Sequence, residues 1–174
     1  MDELKKYIRE VPDFPKPGIL FYDITTLIAD PDGYRLALDA LESRIAPDRP
    51  DMLVGIEARG FVFGGALADR MKLPFALARK PGKLPSKTIS EEYELEYGVD
   101  RLEMHADVIR PGMRVVLIDD LVATGGTIKA ACKLVEKMGG EVVAIACVIG
   151  LTFLPFDHLL KGYKLHYLIS YDSE

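Results

Sequence analysis

The feature that most restricts the fold is a pair of alternating patterns. Short, wholly apolar runs (MLVGI at 52–56, VVLI at 115–118, VVAIACVI at 142–149) are separated by segments whose apolar residues return every three or four positions. A strand that is apolar on both faces must be covered on both faces, which points to a parallel sheet between two layers of helix. After the run at 115–118, a helical pattern puts Ile128, Ala131, Leu134, Val135 and Met138 on one side, and Gly139-Gly140 stops it. The remaining segments follow the same scheme. A short opening helix covers 4–8, a second runs from the Pro31-Asp32-Gly33 start to about Ile45, and a third covers 61–71. Further strands fall at 73–78 and 164–171. At 174 residues the chain suits one domain rather than two, so the sequence predicts a single α/β domain with a mostly parallel sheet.

In such sheets ligands bind beyond the carboxyl ends of the strands, and one end has unusual chemistry. In VVLIDDLVATGGTIKAA (115–131) the apolar run meets two adjacent carboxylates, Asp119 and Asp120, and then a short loop that enters a helix. The loop residues Ala123, Thr124, Gly125, Gly126 and Thr127 suit an anion. Unpaired N–H groups and the helix dipole favour negative charge there, the glycines allow close approach, and the threonine hydroxyls add donors. A plain N-cap at Thr124 or Thr127 explains the loop equally well, but not the acids. Two neighbouring carboxylates repel and lose hydration at a pocket mouth, so they call for hydroxyl donors or a cation. A ribose diol supplies the first, each hydrogen bond to a charged acceptor contributing roughly 1.5–3 kcal/mol. Apolar strand, paired acids and anion loop together spell a site for a ribose 5-phosphate. Neither a GxxxxGK[ST] nor a GxGxxG spacing occurs.

Charge and composition narrow the partners. Net charge is −5 with 28% charged residues, which argues against a general nucleic-acid binder but leaves room for a small phosphorylated ligand. The amphipathic start MDELKKYIREV does not read as a secretory signal. The longest uncharged stretch, 142–156, is interrupted by Gly150, Thr152 and Pro155 and falls short of the ~18 residues of a membrane span. Cys132 and Cys147 sit in apolar segments and read as buried, reduced thiols. A soluble, cytoplasmic protein without a membrane partner is expected. His105, His158 and His166 share no metal-ligand spacing. The polar, basic-then-acidic stretch RKPGKLPSKTISEEYELEYG (79–98) reads as a long exposed loop with a hairpin towards its end, of the kind that often forms a lid.

VVLIDDLVATGGT is similar to the phosphoribosyl pyrophosphate motif of the type I phosphoribosyltransferases. FPKPGILFYDIT, GIEARGFVFGGALA and RKPGKLPSKTISEEYELEYG, in the same order, resemble segments of the adenine phosphoribosyltransferase family. The similarity spans nearly the whole chain and weakens after Ile149. It implies the type I phosphoribosyltransferase fold, with a small hood from about 12–25 and 150–165 and a flexible catalytic loop at about 80–98. It also implies transfer of 5-phosphoribosyl from phosphoribosyl pyrophosphate to N9 of adenine, giving AMP and pyrophosphate, with Mg2+ carried by phosphoribosyl pyrophosphate and a homodimeric assembly.

On that resemblance, residues 123–127 hold the 5-phosphate and Asp119 and Asp120 the ribose. Arg59, Arg79, Lys80 and Lys83 face the pyrophosphate, and a cis peptide at Glu57-Ala58 accompanies them. Glu96 acts as catalytic acid/base on the imidazole of the base, with Tyr97 packing on the closed loop. Leu20, Phe21, Tyr22 and Leu151 receive the base, Phe21 by stacking and residues 20 and 22 through their backbone; Phe21 and Leu151 are also readable as plain core. Lys87, Glu91, Glu92 and Glu94 read as solvated. Tyr22 stands where relatives often carry arginine, and Gly150 and LPFD (154–157) replace a glutamate and a basic stretch, all near the expected hood. Two other functions share the chemistry of the site: a phosphoribosyltransferase for hypoxanthine, guanine or xanthine, and a non-catalytic regulator that binds phosphoribosyl pyrophosphate. A plain nucleotide-binding module has no need of the RKPGK loop.

Overall fold

A computed structural model describes residues 2–94 and 98–173. The chain opens with a 3-10 helix, Asp2–Tyr7, and a two-stranded antiparallel sheet of β1 (Arg9–Val11) and β2 (Phe21–Asp23). Helices α1 (Thr25–Ala29) and α2 (Pro31–Ile45) follow, then strand β3 (Met52–Ile56), helix α3 (Gly60–Met71) and strand β4 (Phe75–Ala78). Strands β5 (Thr88–Glu94) and β6 (Val99–His105) form an antiparallel pair. The last part runs through β7 (Arg114–Val122), α4 (Gly126–Lys137), β8 (Glu141–Leu151), the four-residue α5 (Phe156–Leu159) and β9 (Leu165–Tyr171).

The central sheet has five parallel strands in the order β4-β3-β7-β8-β9. Side chains alternate along each strand, so the two faces can be read from residue parity. Val116 and Ile118 of β7, with Ala144, Ala146 and Val148 of β8, join Leu41 and Ile45 of α2 and Phe63 and Leu67 of α3 in one core cluster. Val115 and Leu117, with Ile145 and Cys147, join Ile128, Ala131, Leu134 and Val135 of α4 in the other. Wholly apolar strands therefore have helices on both sides, as the sequence pattern requires. The start signal of α2 is visible in its cap: Asp30 accepts hydrogen bonds from the N–H groups of Asp32 and Gly33, with Pro31 at the first helical position.

Three expectations change in detail. The opening helix at 4–8 is a 3-10 helix over Asp2–Tyr7. β7 does not end before the acids but continues through them to Val122, because β8 is long enough to pair with it as far as Val122↔Gly150. In the polar stretch, regular strand begins at Thr88, and Glu91 explains why the hairpin lies down. Its carboxylate meets Lys133 and Lys137 on successive turns of α4, and these lysines hold it below the usual carboxylate range. Glu91 is thus a buried-side anchor rather than a solvated residue. Both cysteines are free and buried. No helix among the described residues is long and apolar enough to cross a membrane.

Candidate active site

At the carboxyl end of β3 and β7 lies a cavity of about 190 Å³. It brings together Arg59, Asp119, Asp120 and all five loop residues, Ala123, Thr124, Gly125, Gly126 and Thr127, with the Glu57-Ala58 segment at its rim. The loop enters α4 with Gly125 as N-cap at φ 84°, and no side chain caps the helix. Gly125, not Thr124 or Thr127, is the N-cap, and a glycine brings no side-chain acceptor to the N–H groups of the helix start. The left-handed φ at Gly125 is one that side-chain-bearing residues rarely adopt.

The acids face the same space from β7. Asp120 is 6% exposed and accepts a hydrogen bond from Nε of Arg59. Asp119 accepts from the backbone N–H of Asp120 at 2.9 Å, and the charge of Arg59 reaches it without an ion pair among the described residues. Burial, and then the charge of Asp120, push the Asp119 carboxyl well above the usual range. Gly60 makes this crowding possible: a Cβ there would lie 2.6 Å from the carbonyl oxygen of Ile118 and 3.2 Å from Oδ1 of Asp119. The start of α3 can therefore press against the end of β7, which delivers Arg59 to the acids.

A carboxyl with a raised folded-state pKa favours the folded chain while protonated. That advantage disappears as pH rises from the unfolded carboxylate range through the folded value, so above the unfolded range Asp119 destabilises the ligand-free protein. Asp119→Asn is expected to raise the unfolding midpoint of the ligand-free protein at pH 7 by about 2–4 °C per kcal/mol relieved. The difference should shrink as pH falls towards the ordinary carboxylate range. Thermal unfolding of both proteins across that pH span checks it.

The basic residues of the RKPGK stretch stand outside this cavity, and carboxylates hold two of them. Arg79 donates from Nε and Nη2 to the two carboxylate oxygens of Glu57, both at 3.1 Å, and Glu57 also accepts from the Lys80 N–H at 2.9 Å. Arg79 in turn holds the Glu57 carboxyl below its ordinary range. Nζ of Lys80 is 3.0 Å from Asp100, which also accepts from the Tyr93 hydroxyl. Lys83 is exposed. The Glu57-Ala58 peptide is cis. Glu57, Tyr93 and Asp100 are the neighbours that sequence reasoning missed, because their partners are 22, 7 and 20 residues away along the chain.

A second cavity of about 420 Å³ shares Arg59 with the first. It is lined by Phe14, Phe21, Ile24, Asp23 and Thr25 among others, with Phe14 edge-on to Phe21 at 5.1 Å. Asp23 is held ionised: hydrogen bonds from Thr25, then from Arg9, bring its carboxyl down to about 2. Of the residues expected to receive a base, only Phe21 lines this cavity. The Tyr22 side chain turns into the core, stacked on Tyr171 at 3.7 Å with its hydroxyl near the Ser173 carbonyl. Leu20 and Leu151 are half-buried against the core. From the stretch 150–165, Phe156 and Leu160 pack beneath Gly125 of the anion loop. Glu96 and Tyr97 lie outside the described residues. Among the described residues no group of three His, Cys, Asp or Glu is placed to hold a metal ion.

A parallel sheet whose end carries an anion loop, an acid pair and a bridging arginine marks the class of enzymes that handle activated ribose phosphates. Residues 31–158 match the phosphoribosyl transferase domain family. The adenine phosphoribosyltransferase of Desulfitobacterium hafniense (strain Y51) is 52% identical over 169 residues, 97% of this chain and 98% of the relative. The crystal structure of adenine phosphoribosyltransferase from Thermoanaerobacter pseudethanolicus superposes with a TM-score of 0.95 at 48% identity, covering 98% of this chain and 99% of that one. That of the Saccharomyces cerevisiae enzyme, complexed with an imino-altritol bisphosphate and adenine, gives 0.91 at 35% identity over 97% of each chain. The chain belongs to the adenine phosphoribosyltransferase family.

Proposed function

We propose that this chain is an enzyme that transfers the 5-phosphoribosyl group of phosphoribosyl pyrophosphate to N9 of adenine, giving AMP and releasing pyrophosphate. The observation that carries the reading is the shared wall at Arg59. On one side of it stand the anion loop and the acid pair, and on the other the apolar cavity of Phe14 and Phe21. A nucleotide has this division too, with phosphate and sugar at one end and a flat base at the other. The full-length similarity to adenine phosphoribosyltransferases, one of them holding adenine, supports adenine as the base.

In this reading the N–H groups and hydroxyls of residues 123–127 donate to the 5-phosphate, and Asp119 and Asp120 accept from the ribose hydroxyls. Phe21 stacks on the base, while the backbone at Leu20 and Tyr22, with Leu151 beside them, borders its edge. With the Tyr22 side chain in the core, any contribution from that residue is from its backbone. As N9 approaches C1 of the ribose, the bond from C1 to the pyrophosphate oxygen breaks and negative charge gathers on the leaving group. Arg59, Arg79, Lys80 and Lys83 answer that charge, which stabilises the transition state more than the ground state. Arg79 and Lys80 must exchange their carboxylate partners, Glu57 and Asp100, for the diphosphate. Glu96 takes the proton that the base gives up.

Magnesium fits as a passenger of the substrate. Asp120 is already occupied by Arg59, so the site offers too few free carboxylates to hold the ion without the diphosphate. When bound, the ion neutralises the leaving group. The reading includes a cytoplasmic homodimer, supported by the family resemblance; it should sediment at about twice the 19.3 kDa chain mass.

Incubation with magnesium, phosphoribosyl pyrophosphate and one purine at a time tests the assignment. Adenine alone should yield nucleotide and pyrophosphate. Turnover of hypoxanthine, guanine or xanthine instead would move the specificity to an oxo-purine, and binding without product would make the chain a sensor.

A further inference from the structure

We propose that Phe156, with Leu160 beside it, is a positioning residue for the anion loop: together they form the rear wall that fixes Gly125 in the conformation that binds phosphate. The inference rests on the reading of residues 123–127 as the 5-phosphate site and adds what holds that site open.

An anion loop works by aiming several N–H groups at one point, and without ligand those like dipoles gain nothing by converging. Something behind the loop must therefore oppose its relaxation. Gly125 makes no side-chain cap, and its backbone is tied to α4 through the Lys129 N–H, so packing behind it adds a restraint that the loop's own hydrogen bonds do not give. At the position where a Gly125 Cβ would stand, Cβ of Phe156 and Cγ of Leu160 are each 3.3 Å away. Both residues are nearly sealed from solvent, at 1% and 3% exposure. The wall itself is anchored. The Leu160 N–H donates to the Phe156 carbonyl at 2.9 Å, and the Phe156 ring meets Tyr167 of β9 edge-on at 6.3 Å. The loop is thereby referred to the sheet through two aromatic rings, even though α5 itself is only four residues long. A wall set in place before the ligand arrives removes the cost of ordering the loop on binding.

The test uses the full-length protein with Phe156→Ala and Phe156→Leu, and inorganic phosphate as the probe. Amide resonances of Gly125 and Gly126 are followed during phosphate titration, alongside KM for each substrate and thermal unfolding. Phe156→Ala keeps the Cβ behind Gly125 but removes the ring that ties it to Tyr167, so the phosphate Kd at those amides and the KM for phosphoribosyl pyrophosphate should both rise about tenfold, the scale of ordering one further residue. The KM for adenine and kcat should stay within about twofold, since general loosening would move all parameters together. Phe156→Leu, which keeps most of the wall, should recover most of the affinity. A cooperatively folded Phe156→Ala with phosphate affinity within about twofold of the parent overturns the proposal. If Phe156→Ala does not fold, Leu160→Val takes its place: a rise in phosphate Kd of about threefold is expected, and unchanged affinity overturns. If phosphate leaves the Gly125 and Gly126 amides of the unaltered protein unmoved, the 5-phosphate assignment itself has failed and the buttress falls with it.

Discussion

Replacing Arg59 by alanine is expected to lower kcat/KM for phosphoribosyl pyrophosphate by about 10²–10³-fold. Three features of the site require a large effect. Among the described residues, Nε of Arg59 is the cation that meets Asp120, a carboxylate whose side chain is 8% exposed. Without it, Asp119 and Asp120 are left as two neighbouring acids with no opposing charge, and one of them protonates or turns away from the ribose. In the proposed reading Arg59 also answers the charge that gathers on the pyrophosphate, so a transition-state interaction is lost together with a ground-state one. Finally, it borders the second cavity, so the base loses part of its wall. Both kcat and the KM for phosphoribosyl pyrophosphate should suffer, and the KM for adenine should rise as well. Arg59→Lys should recover little, because an ammonium cannot reproduce the planar, multi-donor guanidinium at a position shared by two cavities. Steady-state kinetics with both substrates varied provides the measurement. A loss below about threefold would leave Arg59 as a structural partner of Asp120 and nothing more.

Why the sequence disclosed some of this and concealed the rest can be followed residue by residue. The parallel sheet was legible because burial on both faces leaves a local mark: Val115 to Ile118 are all apolar and all buried. That residues 123–127 border a site was legible because they are five consecutive positions, and all five line the cavity. The partner of Asp120 was not, since Arg59 is 61 residues away and nothing local tells a carboxylate which arginine will reach it. For the same reason the ties of Glu57 to Arg79 and of Asp100 to Lys80 went unread. Tyr22 shows a different limit. A tyrosine in a short edge strand can point to the ligand or to the core, and the choice is made by Tyr171, at the far end of the chain. Phe156 is a third kind of case. Its apolar character announced burial, but only the packing of α5 beneath Gly125 shows which element it supports.

The second large effect belongs to Glu96. Glu96→Gln is expected to reduce kcat by about 10²–10⁴-fold while changing phosphoribosyl pyrophosphate affinity by less than about threefold. The described residues before and after it make the assignment physically sensible. The carbonyl oxygen of Glu94 stands 3.4 Å from where a Gly126 side chain would begin, so the end of β5 lies against the start of α4. The hairpin is held there by Glu91 on Lys133 and Lys137 from one side, and by Asp100 on Lys80 from the other. The described residues on either side of Glu96 are thus held by named contacts, Glu94 beside Gly126 and Asp100 on Lys80. Glutamine keeps the size and polarity of the side chain but cannot take up the proton that N9 gives up, so the loss should fall on the chemical step rather than on binding. The pH profile separates this from a structural effect. The acid limb of kcat that reports a carboxylate in the unaltered enzyme should vanish in Glu96→Gln, while the pH dependence of the KM for phosphoribosyl pyrophosphate stays as in the unaltered enzyme. Equal losses in kcat and affinity, or an acid limb that survives the substitution, would take the proton-transfer role away from Glu96.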